Sequence, residues 1–261
     1  MEQSQEFIQF MHRLADASDL VTQQYFREEI GVENKLEDSF DPVTIADKAA
    51  ERAIRSLIEQ HYPDHGIIGE EYGSVRADAD YVWVLDPIDG TRAYISGLPI
   101  WGTLIGLLHK GKASVGMMSQ PHTRERFFGD GTRSFLRYGD KTRPLKTRAC
   151  IALSEASMFT TSPALFNEQE RPAYDHLEAQ VRMPRYGTDC YGYAMVAAGQ
   201  CDLVVESGLQ IYDIAALIPI VHGAGGIITN WQGDAADQGG QILACGDKNL
   251  HQTVLRGLQI S

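Results

Sequence analysis

Phe7, Phe10, Met11, Leu14, Ala17, Val21 and Tyr25 recur at three- and four-residue steps, with polar residues between them. That spacing lines one stripe of a helix, so the chain opens with an amphipathic helix. The polar run "GVENKLEDSFDP" ends the stripe as a loop. A second helix is expected from about Thr44 to His61, burying Ala49, Ala53, Ile54, Leu57 and Ile58. It stops at Tyr62-Pro63, because proline disfavours helix in the residue before it. The pattern then shortens into strands: "HGIIG", "YVWVLD", a pair around the His109–Lys112 turn, and a hairpin in "RERFFGDGTRSFLRY".

Beyond about residue 145 the pattern changes. "CYGYAMVAAGQ" reads as a helix, "CDLVVESG" as a strand, and "YDIAALIPIVHGAGG" as one helix ending at its glycines. "GIITNW" and "QILACG" read as strands and "NLHQTVLRGL" as a closing helix. Both halves mix helix and sheet, so the expected class is a layered α/β protein with halves spanning 1–145 and 146–261. No repeat or low-complexity linker interrupts it.

Composition narrows the functions. The 261 residues carry 35 acids against 23 bases, a formal charge of -12, which argues against a phosphate-tracking nucleic-acid surface. No apolar run approaches the ~20 residues of a membrane span. The opening "MEQSQEFIQF" lacks the basic start of a secretory signal. Cys150, Cys190, Cys201 and Cys245 show no C-x-x-C spacing, which fits a reducing cytoplasm and disfavours zinc.

Some of the acids stand where elements begin or end: Asp47 in "DPVTIAD", Glu70 and Glu71 after "HGIIG", Asp86 and Asp89 in "LDPIDGT", and Asp213 in "IYDIAA". Singly, each has a structural explanation. Thr44 and Asp47 suit a capping box, Asp213 suits the first turn of a helix, and the glutamates suit a solvated loop. The pair in "LDPIDGT" is harder to explain. Pro87 blocks ladder pairing after Asp86, and Gly90 with Thr91 would offer backbone N–H groups to an anion. A divalent cation reconciles carboxylates with a phosphate at one place. All-oxygen ligands select Mg²⁺, or Mn²⁺, and two ions would clamp the attacking and leaving oxygens of a phosphoryl transfer. A P-loop and a G-x-S-x-G elbow are missing, and the acids of "LDPIDGT" are spaced D-x-x-D, not the D-x-D of aspartyl-phosphate enzymes.

"GEE", "LDPIDGTRAYISGLPIWG" and "YDIAA" ahead of "GAGGIIT", in that order, resemble the inositol monophosphatase superfamily. The resemblance implies an αβαβα sandwich and a Mg²⁺-dependent, lithium-sensitive phosphatase of small phosphate esters, commonly a homodimer. By position, Glu70, Asp86 and the Ile88 carbonyl would hold a first ion and Asp86, Asp89 and Asp213 a second. A weaker third ion would touch Glu70. Thr91 and Asp47 would orient the attacking water, and the Gly90 and Thr91 N–H groups would hold phosphate. Lys35 matches a family lysine near the metals or is an exposed loop lysine. Arg92 touches substrate or braces the acids.

Selectivity would come from "YGTDC" and "VVESG". Gly187 and Thr188 lead into Asp189, where inositol-type members carry a small apolar residue, and Glu206 matches a substrate-contacting acid. An extra carboxylate suits a substrate with a cation opposite its phosphate. With "HGIIGEEYG" and "GTDCYGYA", the chain resembles the histidinol-phosphate phosphatase branch, which implies L-histidinol phosphate as substrate and a place in histidine biosynthesis. The other substrates open to the superfamily are inositol-1-phosphate and 3′-phosphoadenosine esters, and an inactive scaffold is the reading from another class. Asp189 has a second reading as the N-cap of the helix after "GTDC". Tyr212 stands where the superfamily usually has Trp.

Overall fold

The computed structural model describes residues 2–28, 32–34 and 42–259; Lys35 lies outside them. Helix α1 (Glu2–Tyr25) is followed by the short strands β1 (Val32–Asn34) and β2 (Pro42–Thr44), which pair with each other, and by α2 (Ile45–His61). Then come β3 (Gly66–Gly69), β4 (Gly73–Val75), β5 (Tyr81–Asp89), the one-turn α3 (Thr91–Ile95), β6 (Gly102–His109), β7 (Lys112–Gln120), β8 (Glu125–Gly129), β9 (Ser134–Tyr138) and β10 (Lys141–Pro144). These strands form an eight-stranded sheet in the order β10-β9-β8-β7-β6-β5-β3-β4, antiparallel except where β3 meets β5.

The second sheet takes β11 (Ser157–Thr160), β12 (Met183–Tyr186), β13 (Leu203–Leu209), β14 (Ile227–Asn230) and β15 (Gly240–Cys245), in the order β12-β11-β13-β15-β14. Its helices are α4 (Arg171–Glu178), α5 (Asp189–Ala197), α6 (Ile211–Ile214), α7 (Leu217–Gly223) and α8 (Lys248–Gln259).

Strand alternation sorts the side chains into layers. From β6, Ile105 and Leu107 pack with Phe10, Leu14 and Ile54 of α1 and α2, while Leu104 points the other way, toward Tyr193 of α5 and Ile220 of α7. From β13, Val204 joins that central layer, and Leu203 and Val205 face Tyr174 of α4 and Leu250 of α8. The result is the expected αβαβα layering. Close approach at its centre needs glycine. A Cβ at Gly116 of β7 would lie 1.9 Å from the Ala216 carbonyl oxygen.

Several elements differ from the pattern reading. The helix expected over "YDIAALIPIVHGAGG" breaks into α6 and α7 around Ala215 and Ala216. Pro219 has no N–H to return to Ala215, so the ladder cannot run through. The stripe of α2 is rotated: its buried face is Ala46, Asp47, Ala50, Glu51, Ile54 and Ile58, and it includes two acids. The elements β4, β10, β11, α4 and β12 are too short, or too weakly periodic, to stand out in the pattern.

Candidate active site

The strand β5 continues past Asp86 to Asp89, which answers how two acids three residues apart can act together. In a regular strand they would face opposite sides of the sheet. Here Asp86 pairs with Leu104 and Asp89 with Gly102, so β5 carries one residue more than β6 across that interval. This bulge returns both carboxylates to one side. Pro87 sits inside it, and the Thr103 hydroxyl donates to the Pro87 carbonyl at 2.8 Å. The same device recurs in β13, where Glu206 pairs with Ile242 and Leu209 with Gly240. Glu206 and Leu209 thereby line the same cavity.

That cavity encloses about 240 Å³ at the junction of the two sheets. Glu70, Asp86, Ile88, Asp89, Gly90, Thr91 and Arg92 line it from the first half of the chain. Thr161, Leu165, Asp189, Glu206, Leu209 and Asp213 line it from the second. Asp86, Asp89 and Asp213 each offer an oxygen within 4.8 Å of the others. Three ionised carboxylates at that spacing repel by roughly 3–4 kcal/mol per pair at an effective dielectric of ~20. The sum rivals the whole stability of a typical domain, so they cannot all stay charged without a cation.

Asp86 is 2% exposed, and burial, then Glu70, Asp89 and Asp213, push its carboxyl well above the ordinary range. Burial, Asp189 and Asp213 do the same to Asp89, against the bond it receives from the Cys190 N–H at 2.6 Å. The donor set is all oxygen, with Asp86 buried and Asp89 and Asp213 half-buried, and so fits a hard divalent cation.

Each remaining acid is held by its element. Asp213 closes a capping box at the start of α6, taking the Gln210 N–H at 2.6 Å. Asp47 closes another at the start of α2, taking the Thr44 N–H at 2.9 Å and the Thr44 hydroxyl at 2.5 Å. Burial pushes Asp47 up to about 6, and the charge of Glu70 adds to the rise. Asp47 stands outside the cavity lining. Thr91 does line it, and its hydroxyl donates to the Ile88 carbonyl at 3.1 Å.

On the opposite wall, Glu206 is 2% exposed and receives the Thr161 N–H at 2.6 Å and its hydroxyl at 2.9 Å. Burial nevertheless pushes it up to about 8. Burial likewise lifts Asp189 to about 6, opposed by a hydrogen bond from Thr161 and the charge of Arg92. The N-cap of α5 is Thr188 rather than Asp189, so the capping reading of Asp189 fails. Asp189 instead adopts φ +42° and borders the cavity. The donor freed at the second turn position, Cys190 N–H, is taken by Asp89 from across the sheet boundary. A Cβ at Gly90 would come within 3.3 Å of the Asp189 side chain. Gly187 and Thr188 do not line the cavity. Gly187 N–H donates to the Thr161 carbonyl at 2.8 Å, and the buried Thr188 hydroxyl packs against Gly192.

Pattern reading missed Thr161, Leu165 and Leu209 on the far wall, because a lone Thr or Leu carries no distinguishing signal. It also missed Glu51. There a signal existed: a glutamate in phase with Ile54 and Ile58, one turn after Asp47.

A match to the inositol monophosphatase family covers residues 3–260. The chain belongs to that family. A solved structure of an inositol monophosphatase from Zymomonas mobilis is 40% identical, with a TM-score of 0.87 and 98% of each chain covered. The bifunctional phosphatase IMPL2, chloroplastic, of Arabidopsis thaliana is 46% identical over 258 residues, covering 94% of this chain and 73% of that one. The histidinol-phosphatase of Mycobacterium tuberculosis is 33% identical over 250 residues, covering 94% and 95%. The chain is thus an inositol monophosphatase-family phosphatase, a hydrolase of phosphate esters from a metal-dependent family. No helix among its described residues is long and apolar enough to cross a membrane.

Proposed function

We propose that this phosphatase hydrolyses a phosphate monoester carrying a positive charge at its far end, with L-histidinol phosphate as the substrate. The observation that carries this reading is the second pair of carboxylates, Asp189 and Glu206, on the wall opposite the Asp86, Asp89 and Asp213 cluster. A neutral polyol would leave that pair facing uncharged hydroxyls, whereas an amino or imidazolium group compensates it. The histidinol-phosphatases of M. tuberculosis and of Chlorobaculum parvum, the latter 31% identical over 255 residues, are named for such an ester.

In this reading Glu70, Asp86, Asp89, Asp213 and the Ile88 carbonyl hold two Mg²⁺ ions, with a third, weaker site at Glu70. Bound Mg²⁺ supplies Lewis acidity toward the phosphoryl group, an acidified water and charge compensation for the leaving oxygen. The chain does the placing. Gly90 and Thr91 N–H groups orient the phosphate, and the Thr91 hydroxyl, anchored beside Ile88, orients the water for in-line attack. Asp47, fixed by its capping box at the start of α2, joins Thr91 in orienting that water. Asp189 and Glu206 hold the cationic end, fixing which ester presents its phosphorus to that water. The four buried, unbridged cysteines support the cytoplasm as the compartment we propose.

The family match and the 40% identity to an inositol monophosphatase favour a second reading, inositol-1-phosphate. Steady-state phosphate release separates the two. L-Histidinol phosphate is expected to exceed inositol-1-phosphate and 3′-phosphoadenosine esters in kcat/KM by at least tenfold, about 1.4 kcal/mol of transition-state binding. The reverse order overturns the proposal.

A further inference from the structure

Glu51 is a fully buried carboxylate on α2 that the chemistry above does not use. Its Oε2 accepts the Glu71 N–H at 2.8 Å, and its Oε1 accepts the Tyr72 N–H at 3.2 Å and Arg55 Nε at 2.7 Å. Arg55 reaches on to the Gly73 carbonyl. The end of β3 rests on the same carboxylate, since a Cβ at Gly69 would lie 2.1 Å from Oε1. Residues 69, 71, 72 and 73 are thus all fixed by one ion pair. Glu70, between them, meets β5 through its own N–H to the Leu85 carbonyl at 3.1 Å and through a side-chain hydrogen bond with Asp86. A buried ion pair costs desolvation and is weak evidence for stability by itself. This one is spent on the backbone that carries a single cavity-lining glutamate.

We propose that the Glu51–Arg55 pair is a positioning clamp for Glu70, setting how tightly the site holds its divalent cation. The inference rests on the metal reading of the site. Partners one shell behind a ligand commonly change metal affinity by 10–100-fold when removed, because they fix the ligand's approach. Glu51 acts only through the 70–73 turn, so its effect must depend on the Glu70 carboxylate.

The test is Mn²⁺ binding to the full chain, followed by the electron paramagnetic resonance signal of free Mn²⁺, with no substrate present. Glu51→Gln keeps the shape of the side chain but removes its charge. Its Mn²⁺ dissociation constant is expected to rise at least tenfold while the protein stays folded by circular dichroism. In a Glu70→Gln background the same substitution is expected to change the constant less than threefold. A rise under threefold in the first background, or an equal factor in both, overturns the clamp. Arg55→Gln provides a second reading should Glu51→Gln not fold. It leaves the Glu51 acceptors in place, should weaken binding at least threefold, and overturns the clamp if binding is unchanged. Wild-type protein that takes up no Mn²⁺ overturns the metal reading and the clamp together. Normal wild-type uptake with an indifferent Glu51→Gln overturns the clamp alone.

Discussion

Asp189 borders the cavity in a left-handed conformation, φ +42°, that side-chain-bearing residues seldom adopt. Its carboxylate faces Arg92 and Thr161, and its Cβ lies against Gly90, also left-handed at φ +86°. Strain of this kind persists where the surroundings over-determine it, and here it holds an acid at the mouth of the site. Asp189→Ala is expected to lower kcat/KM for L-histidinol phosphate at least tenfold and for a neutral ester such as inositol-1-phosphate less than threefold. Equal losses on the two substrates would remove Asp189 from selectivity.

Glu206 gives a pH signature. Its ordinary value is 4.5, and burial pushes the folded value up to about 8. Between those limits the folded state holds a proton that the unfolded state has lost. The stability contribution is complete below about 4.5 and fades as pH rises through about 8. Metal-free Glu206→Gln, neutral at every pH, should therefore show a flatter fall of Tm from pH 5 to 8 than the parent. Parallel curves would show that Glu206 is ionised in the folded chain.

At the scale of elements, two β-bulges do the same work in the two sheets. The one in β5 turns Asp86 and Asp89 to one side, and the one in β13 brings Glu206 and Leu209 to the cavity. Helices supply the remaining acids through their first turns, Asp47 from α2 and Asp213 from α6, each fixed by a capping box. The capping reading and the functional reading of these acids are therefore compatible, since a cap leaves one carboxylate oxygen available. α6 is held at the site because its junction with α7 at Ala215–Ala216 sinks onto Gly106 and Gly116. A side chain there meets backbone that cannot yield. Gly116→Ala is expected to lower unfolding stability by at least ~2–3 kcal/mol, read from urea midpoints at constant slope. A loss within ~0.5 kcal/mol would mean that the layers can separate freely.

At the scale of the molecule, the cation site we propose lies where the two sheets meet, with Asp86 and Asp89 on the first and Asp213 on the helix leading away from the second. A bound ion would tie the halves together and cancel the repulsion that raises Asp86 and Asp89. Mg²⁺ at about 100 times its dissociation constant should add ~2.7 kcal/mol, a Tm rise of roughly 5–10 °C that chelation reverses. A Tm indifferent to both Mg²⁺ and chelator would count against a cation at these acids.

The first helix, the long strands and the acids of "LDPIDGT" were legible because each depends on local spacing: a 3.6-residue stripe, a run of strand formers, or carboxylates beside a proline and a glycine. The sequence by itself determined that the pair Asp86 and Asp89 is out of keeping with a purely structural role, and that the chain, with Asp47, Glu70 and Asp213 at matching positions, resembles a phosphatase family. Only the tertiary structure decided which neighbours those acids meet. The bulge that aligns Asp86 with Asp89 depends on the register against β6, which no single strand encodes. The capping of α5 by Asp89, the face Thr161 presents to Glu206, and the support of the 70–73 turn by Glu51 join residues 20 to 101 positions apart. Such contacts arise from how layers stack, and chain-local patterns of hydrophobicity carry no record of them.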